Sequence, residues 1–296
     1  MKTKNSKITV LYIAGNGHSG STLLDIIIGY SNPDKIFSAG ELTFITRETI
    51  FDEKCSCGDY VRSCTIWSQV INIWHNKRTV DYQEYVRLWN KYDRNHNFIN
   101  TFFNNLFPSK DFKTYCDNTQ ALFKAIQKVT GKSIIVDSSK VAPRIAMLSR
   151  ISNLKIIHIC RDFSGVLNSA KRHHKKDIDA GYEEELKPRN SYKTFLDWIL
   201  NNTLVKLFSL NKTRYKLHYI DYVNNVNSIS KISEISIHNS KSFKIKPDHL
   251  LAGNVLRLKK ELNLNPEIGF VYKRLTKKQK LISGVIDKMF FFWAKR

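Results

Sequence analysis

The sequence predicts an α/β fold: an open, mainly parallel sheet flanked by helices. Three observations carry this. Four short apolar runs, 8–14 (ITVLYIA), 133–137 (SIIVD), 155–160 (KIIHIC) and 215–220 (YKLHYI), are continuous rather than alternating, as expected of strands covered on both faces. Helical patterns separate them, at about 22–29, 81–92, 121–130, 165–174 and 192–210, and strands alternating with helices make parallel sheets. The first run also ends in a glycine-punctuated loop, followed by Ser-Thr and an apolar helix start. Strand, loop and helix N-terminus together present unpaired N–H groups and a positive helix end to an anion.

That loop, Gly15–Thr22 (GNGHSGST), matches the first half of a Walker A sequence: Gly15, four residues, then Gly20. The next position should be Lys and is Ser21, followed by Thr22. In nucleoside triphosphatases that Lys reaches the β- and γ-phosphates, and the hydroxyl after it holds magnesium. Without the Lys, triphosphate hydrolysis is disfavoured. The remaining donors from Gly17 to Thr22, with their hydroxyls and the imidazole of His18, suit a smaller anionic group such as a phosphosulfate. A glycine-rich turn in an ordinary α/β protein is the plainer alternative.

From about 44 to 132 the chain is long, polar and aromatic and shows no clear strand. It reads as a mostly helical insertion on the same domain, so that 1–296 forms one domain with the insertion at about 44–132. Trp67, Trp74 and Trp89 fall at loose helical spacing and fit its core. After the second run come Asp137, Ser138, Ser139 and Lys140. After the third come Arg161 and Asp162, then a helix carrying Asn168 and Ser169. In open α/β sheets ligands sit beyond the carboxyl ends of the strands. An Arg at such an end and a Ser about two helical turns later can hold a phosphate from two sides. His158, inside an apolar run, reads as a core histidine. The segment 175–190 is charged, contains Gly181 and Pro188, and reads as a mobile loop. A further cluster, HLLAGNVLR, spans His249–Arg257. The C-terminal MFFFWAKR reads as a final helix docked on the core, with membrane-surface contact as the lesser reading.

Bulk properties narrow the classes. The chain has 296 residues and is 42% apolar, enough for a substantial core. No apolar stretch reaches membrane-spanning length, and MKTKNSK runs straight into the first strand, so the expectation is a cytoplasmic protein. A net charge of +22, from 48 basic and 26 acidic residues, favours anionic partners. It does not choose among nucleotide, glycan, nucleic acid and membrane, because Lys, Asn and Ile are abundant throughout. Of five cysteines, Cys55, Cys57 and Cys64 cluster in CSCGDYVRSC. Three thiols with no fourth ligand in view do not complete a zinc set. A packed loop or a disulfide is favoured there, and no metal is assigned.

GNGHSGSTLL, VDSSK, RDFSGVLNS and HLLAGNVLR, in this order, resemble the motifs of the PAPS-dependent sulfotransferases, where PAPS is 3′-phosphoadenosine 5′-phosphosulfate. The intervening SNPDKIFSAGEL and CSCG…CTIW are similar to the version in many bacterial members. The resemblance runs with gaps from about Ile8 to Arg257. It implies a P-loop-like core and PAPS as donor. Gly17, His18, Ser19, Gly20, Ser21, Thr22 and Leu23 would bind the 5′-phosphosulfate. Arg161 and Ser169 would bind the 3′-phosphate, with Gly253, Asn254 and Arg257 closing over that end. Glu41, in the AGE motif, matches the Glu proposed as general base in protein-tyrosine sulfotransferases after a three-residue adjustment of the preceding loop. The family usually has Lys or Arg where this chain has His18, which can stabilise the departing phosphate if protonated. Lys140 is a candidate contact to the sulfonyl group or leaving group.

The implied activity is sulfuryl transfer from PAPS to a hydroxyl or amine on a carbohydrate, lipid or other small molecule. Catalysis would rest on positioning and on charges placed where charge develops, with no metal required and no nucleic acid as partner. The competing readings are a P-loop nucleotide kinase or other phosphotransferase, which would need a cation in place of the missing Lys, and a basic nucleic-acid-binding protein.

Overall fold

The structure is a computed structural model that describes residues 8–173, 175, 185, 187–237, 244–245, 248–263 and 273–295. Its centre is a five-stranded sheet of β1 (Thr9–Gly15), β2 (Ile36–Ser38), β3 (Ile134–Lys140), β4 (Asn153–Cys160) and β5 (Arg214–His218). The strands run in the order β2-β3-β1-β4-β5, and every pair is parallel. The four apolar runs are therefore strands, and the fold is the expected open α/β sheet. Two boundaries differ. β3 continues to Lys140, so the Asp-Ser-Ser-Lys cluster is the end of the strand itself. The last strand stops at His218, where a short helix begins at Tyr219. A two-stranded antiparallel ribbon, β6 (Lys244–Ile245) and β7 (Leu262–Asn263), lies apart from the sheet.

Ten α-helices are described: α1 (Ser21–Ser31), α2 (Trp67–Lys77), α3 (Tyr82–Tyr92), α4 (Phe98–Leu106), α5 (Lys110–Thr130), α6 (Arg144–Ile151), α7 (Phe163–Ala170), α8 (Ser191–Phe208), α9 (Tyr219–Asn224) and α10 (Lys277–Lys295). Successive β1 side chains point to opposite faces. Leu11 and Ile13 join Leu24, Ile27 and Ile28 of α1 and Tyr222 of α9 in one core. Val10, Tyr12 and Ala14 face a second core with Ile126 of α5, Ile145 of α6 and Leu204 of α8. Both faces are covered, which is why the strands read as unbroken apolar runs.

The insertion is helical, as expected, and its core is continuous with the second face of the sheet. Trp67 and Trp74 are fully buried there beside Tyr85, Tyr92 and Tyr115. Asp81 caps α3 by accepting the Glu84 N–H, and Ser109 caps α5 by accepting the Phe112 N–H, contacts worth about 1 kcal/mol each. A buried ionic group locks the insertion to the sheet. The guanidinium of Arg144 donates to Asp137 of β3 (2.8 Å) and to Asp93 after α3 (2.6 Å), and the Tyr115 hydroxyl donates to the same Asp93 oxygen (2.7 Å).

At the C-terminal end, Phe290 of α10 packs edge-on against Trp198 and Phe195 of α8. The Asp287 carboxylate accepts the N–H groups of Phe163 and Ser164 at the start of α7. The final helix is thus docked on the core. His174 and most of the expected mobile loop at 175–190 lie outside the described residues. No helix among the described residues is long and apolar enough to cross a membrane.

The topology fixes where a ligand can sit. From β1 the chain passes to β2 at one sheet edge, and from β4 it passes to β5 at the other. The loops after β1 and β4 therefore diverge, leaving a crevice beyond two adjacent strand ends.

Candidate functional site

Two loops meet in that crevice. The first follows β1. Gly20 adopts φ 93°, and a Cβ there would lie 2.3 Å from the Tyr222 hydroxyl oxygen. Only glycine fits, and the Tyr222 hydroxyl donates to its carbonyl (2.9 Å). The first intrahelical bond of α1 runs from Leu24 N–H to Gly20 O. The N–H groups of Ser21, Thr22 and Leu23 precede it, free of the helical ladder. Ser19 is buried, and its hydroxyl has no hydrogen-bond partner among the described residues. Asn16 braces the loop from below, donating to Gly17 O and accepting from Asn201 of α8.

The second loop carries Arg161. Asp162 pairs with His218 (3.2 Å). Arg161 lies over the Tyr219 ring, 4.0 Å from its centroid, and donates to the carbonyl of His18 (2.9 Å). The imidazole Nδ1 of His18 is 3.2 Å from the Ser169 hydroxyl on α7. His18 thus joins the loop after β1 to the Arg161–Ser169 pair.

His18 is a partly buried imidazole. Burial, followed by Arg189, Lys140, Arg172 and Arg161 in turn, lowers its pKa to about 4. His18 was expected to stabilise the departing phosphate if protonated; in the free protein burial first, and these cations after it, hold the imidazole neutral near pH 7. A bound dianion would act in the opposite sense.

Glu41 and Lys140 form a third group. Between Tyr12 and Ala14 of β1 the partner strand advances from Asp137 to Lys140, one residue more. This bulge re-aims the strand end. Asp137 holds the bend by accepting from both the backbone N–H (3.0 Å) and the hydroxyl (2.5 Å) of Ser139. Lys140, at φ 69°, reaches Glu41 with an Nζ–Oε1 distance of 2.5 Å. Lys140 and His18 (φ 65°) are both non-glycine residues in the left-handed region, a strain of about 1–3 kcal/mol each that surrounding structure must hold. Glu41 is 8% exposed and caps no helix with its side chain. It is therefore not a surface capping residue.

The structure places Gly253 and Asn254 beside Thr22 at the start of α1 and Gly253 beside Glu41. Asn254 N–H donates to the Thr22 hydroxyl (3.2 Å). A Cβ on Gly253 would lie 3.2 Å from the Thr22 hydroxyl and 3.6 Å from a Glu41 carboxylate oxygen. Arg257 is buried, with its guanidinium on the carbonyls of Gly253 (2.9 Å) and Lys54 (3.3 Å), so it braces this turn from within. His158 is a core histidine bonded to Asn202 (3.0 Å). Sequence reasoning missed Arg144, Tyr219, Tyr222 and Asn201, which support the site without a motif of their own. A cleft of about 670 Å³ near the far end of α1, lined by Tyr30, Pro33, Phe37 and Lys132 among others, shares no residue with this site.

No protein-family model and no curated protein matches the chain. Among solved structures it is similar to a sulfotransferase domain from the curacin biosynthetic pathway, at 12% identity and a TM-score of 0.47, over 96% of this chain and 99% of that one. It is also similar to a sulfotransferase domain from the Synechococcus PCC 7002 olefin synthase, at 14% identity and a TM-score of 0.48, over 98% of each chain.

Proposed function

We propose that the chain transfers a sulfuryl group from PAPS to a hydroxyl or amine acceptor. One observation carries this reading: His18 sits on the loop that holds the orphaned Ser19 hydroxyl and the free N–H groups of the α1 start, and it touches both Arg161 and Ser169. PAPS carries its phosphosulfate and its second phosphate on the 5′ and 3′ oxygens of one ribose. Its two anionic ends therefore need adjacent sites, and the two loops are in contact. The orphaned Ser19 hydroxyl and the unladdered N–H groups fit the phosphosulfate. Arg161 and Ser169 fit the 3′-phosphate, with the Tyr219 ring keeping the guanidinium in place.

The donor supplies the sulfuryl group, and adenosine 3′,5′-bisphosphate leaves. The protein's part is to hold charges and move one proton. Residues 17–23 orient the sulfonated end with backbone N–H groups and the helix dipole. Lys140, with its ammonium on Glu41, orients that carboxylate to accept a proton from the acceptor hydroxyl. Once Glu41 is protonated, the Lys140 charge is released to the sulfonyl oxygens and the leaving phosphate. His18, neutral before the donor binds, fixes the Ser169 hydroxyl and gains basicity from the incoming anion. Gly253 and Asn254 hold Thr22 and Glu41 in register.

The test is incubation of the full chain with radiolabelled PAPS and pooled glycans, lipids and phenols, followed by mass spectrometry of labelled products. Label in an acceptor, with release of adenosine 3′,5′-bisphosphate, supports the proposal. Label in no acceptor, together with phosphate transfer from ATP, would overturn it in favour of a phosphotransferase.

A further inference from the structure

We propose that Cys55, Cys57, Cys64 and His249 form a tetrahedral zinc centre. It would pin the 249–257 segment to the start of the helical insertion. The inference is independent of the sulfuryl-transfer reading.

Four side chains from two distant segments converge on one point. Their ligand atoms all lie within 4.8 Å of one another. The Sγ atoms of Cys57 and Cys64 are 3.7 Å apart, as are those of Cys64 and Cys55. The Nδ1 atom of His249 is 3.2 Å from the Cys64 sulfur. Zinc bound at about 2.3 Å to sulfur and about 2.0 Å to nitrogen has tetrahedral edges of about 3.8 Å between sulfurs and about 3.5 Å between sulfur and nitrogen. The three separations above match such edges, and the other three lie within 4.8 Å. A disulfide would use two of the three thiols and leave the third, with the imidazole, packed against it for no purpose. Three sulfurs and one nitrogen form a soft set that selects zinc over hard cations.

The surroundings are built as a metal site requires. Cys55 N–H donates to Asp59 O (2.8 Å), and Gly58 N–H donates to Cys55 O (3.0 Å). This closes a tight turn that presents Cys55 and Cys57 together. Gly58 sits in it at φ 103°, which side chains other than hydrogen rarely adopt. The second ring nitrogen of His249 lies 3.4 Å from the Asp248 carboxylate. A carboxylate on the far side of a ligating imidazole fixes its tautomer and orientation. The His249 carbonyl accepts the indole N–H of buried Trp67 (2.7 Å), and the Leu250 N–H donates to the Ser56 hydroxyl (2.7 Å). Cys55 and Cys64 are buried, while Cys57 is exposed and gives the ion a way in.

The centre would also matter for the site. Leu251 N–H donates to Ala39 O (3.0 Å), and Glu41 N–H donates to Ala252 O (3.2 Å). A metal that fixes His249 therefore fixes the backbone on which Glu41, Gly253 and Asn254 are set.

The decisive measurement is metal analysis of the full chain, purified from zinc-supplemented cells without chelator and desalted. About one zinc per chain is expected, falling below about a tenth in Cys57→Ser and in His249→Ala, because each removes one of four ligands. Cobalt added to the metal-stripped wild-type chain should give the ligand-field bands and thiolate charge-transfer absorption of a tetrahedral sulfur-rich site. This holds even if a variant fails to fold. Wild-type protein that folds with no bound zinc and gives no tetrahedral cobalt spectrum would overturn the proposal. So would an intact mass showing a disulfide among the three cysteines under native conditions.

Discussion

Replacing Arg161 with Ala separates the two ends of the proposed donor. The guanidinium is held by the Tyr219 ring and the His18 carbonyl. Its loss removes one of four positive charges acting on His18, along with the planar fork. A charge-assisted contact of a half-exposed guanidinium to phosphate contributes about 2–3 kcal/mol, so affinity for adenosine 3′,5′-bisphosphate should fall by about 30- to 150-fold. The assay is isothermal titration calorimetry at constant, low ionic strength, since part of the field is screened by salt. Circular dichroism checks the fold. Adenosine 5′-monophosphate, which lacks the 3′-phosphate, serves as the second ligand. It should bind wild type and variant alike. An equal loss for both nucleotides would place Arg161 at the 5′ end or in the fold. Unchanged affinity for the bisphosphate would refute the assignment.

Three further perturbations test the supporting structure. Glu41→Gln should slow transfer by about 100- to 10,000-fold while calorimetry finds the bisphosphate still bound; a wild-type rate would dismiss Glu41 as the base. Arg144→Met leaves Asp93 and Asp137 buried without their cation and should cost about 3–5 kcal/mol, read as a shifted urea midpoint; an unshifted midpoint would contradict the network. Burial raises the Asp25 carboxyl from 3.8 to about 7, against the opposing pull of Ser138, Ser38 and the Gly40 backbone beside it. The native state then holds a proton that the unfolded chain has released, so Asp25 costs stability progressively as pH rises from about 4 to 7. Asp25→Asn should stabilise more at pH 8 than at pH 4, by up to about 4 kcal/mol; equal gains at the two pH values would show an ordinary carboxylate. His18 and His158 oppose this trend. Burial holds both near 4 instead of 6.5, so they drain stability as pH falls between those values.

The strands were legible because both faces of the sheet are covered, which makes continuous apolarity the local signal. β2 escaped because it has only three residues and pairs on one side alone, with β3. The first half of α5 escaped because its buried positions, Phe112, Tyr115, Cys116 and Thr119, are diluted by Lys, Asp and Asn. Motif order placed His18, Arg161 and Ser169 at one crevice, because strand ends are a local feature and parallel strands end on one side. Partnerships across the chain were not legible. Glu41 and Lys140 meet only through a bulge in β3, and His249 joins three cysteines 185 or more residues before it in sequence. Arg144 looks like a helix-surface charge until two carboxylates from elsewhere bury it. The contacts of Gly253 and Asn254 were not legible either: backbone bonds to Ala39 and Glu41, and one from Asn254 N–H to the Thr22 hydroxyl, hold their segment beside the start of α1.

The proposed crevice would grip two phosphate-bearing arms of a single ribose without help from magnesium. Calorimetry of the wild-type chain with adenosine 3′,5′-bisphosphate in magnesium-free buffer, beside ATP with magnesium, tests this most directly. One bisphosphate bound per chain, more tightly than ATP, is the predicted result. Magnesium-dependent ATP binding with no affinity for the bisphosphate would contradict it.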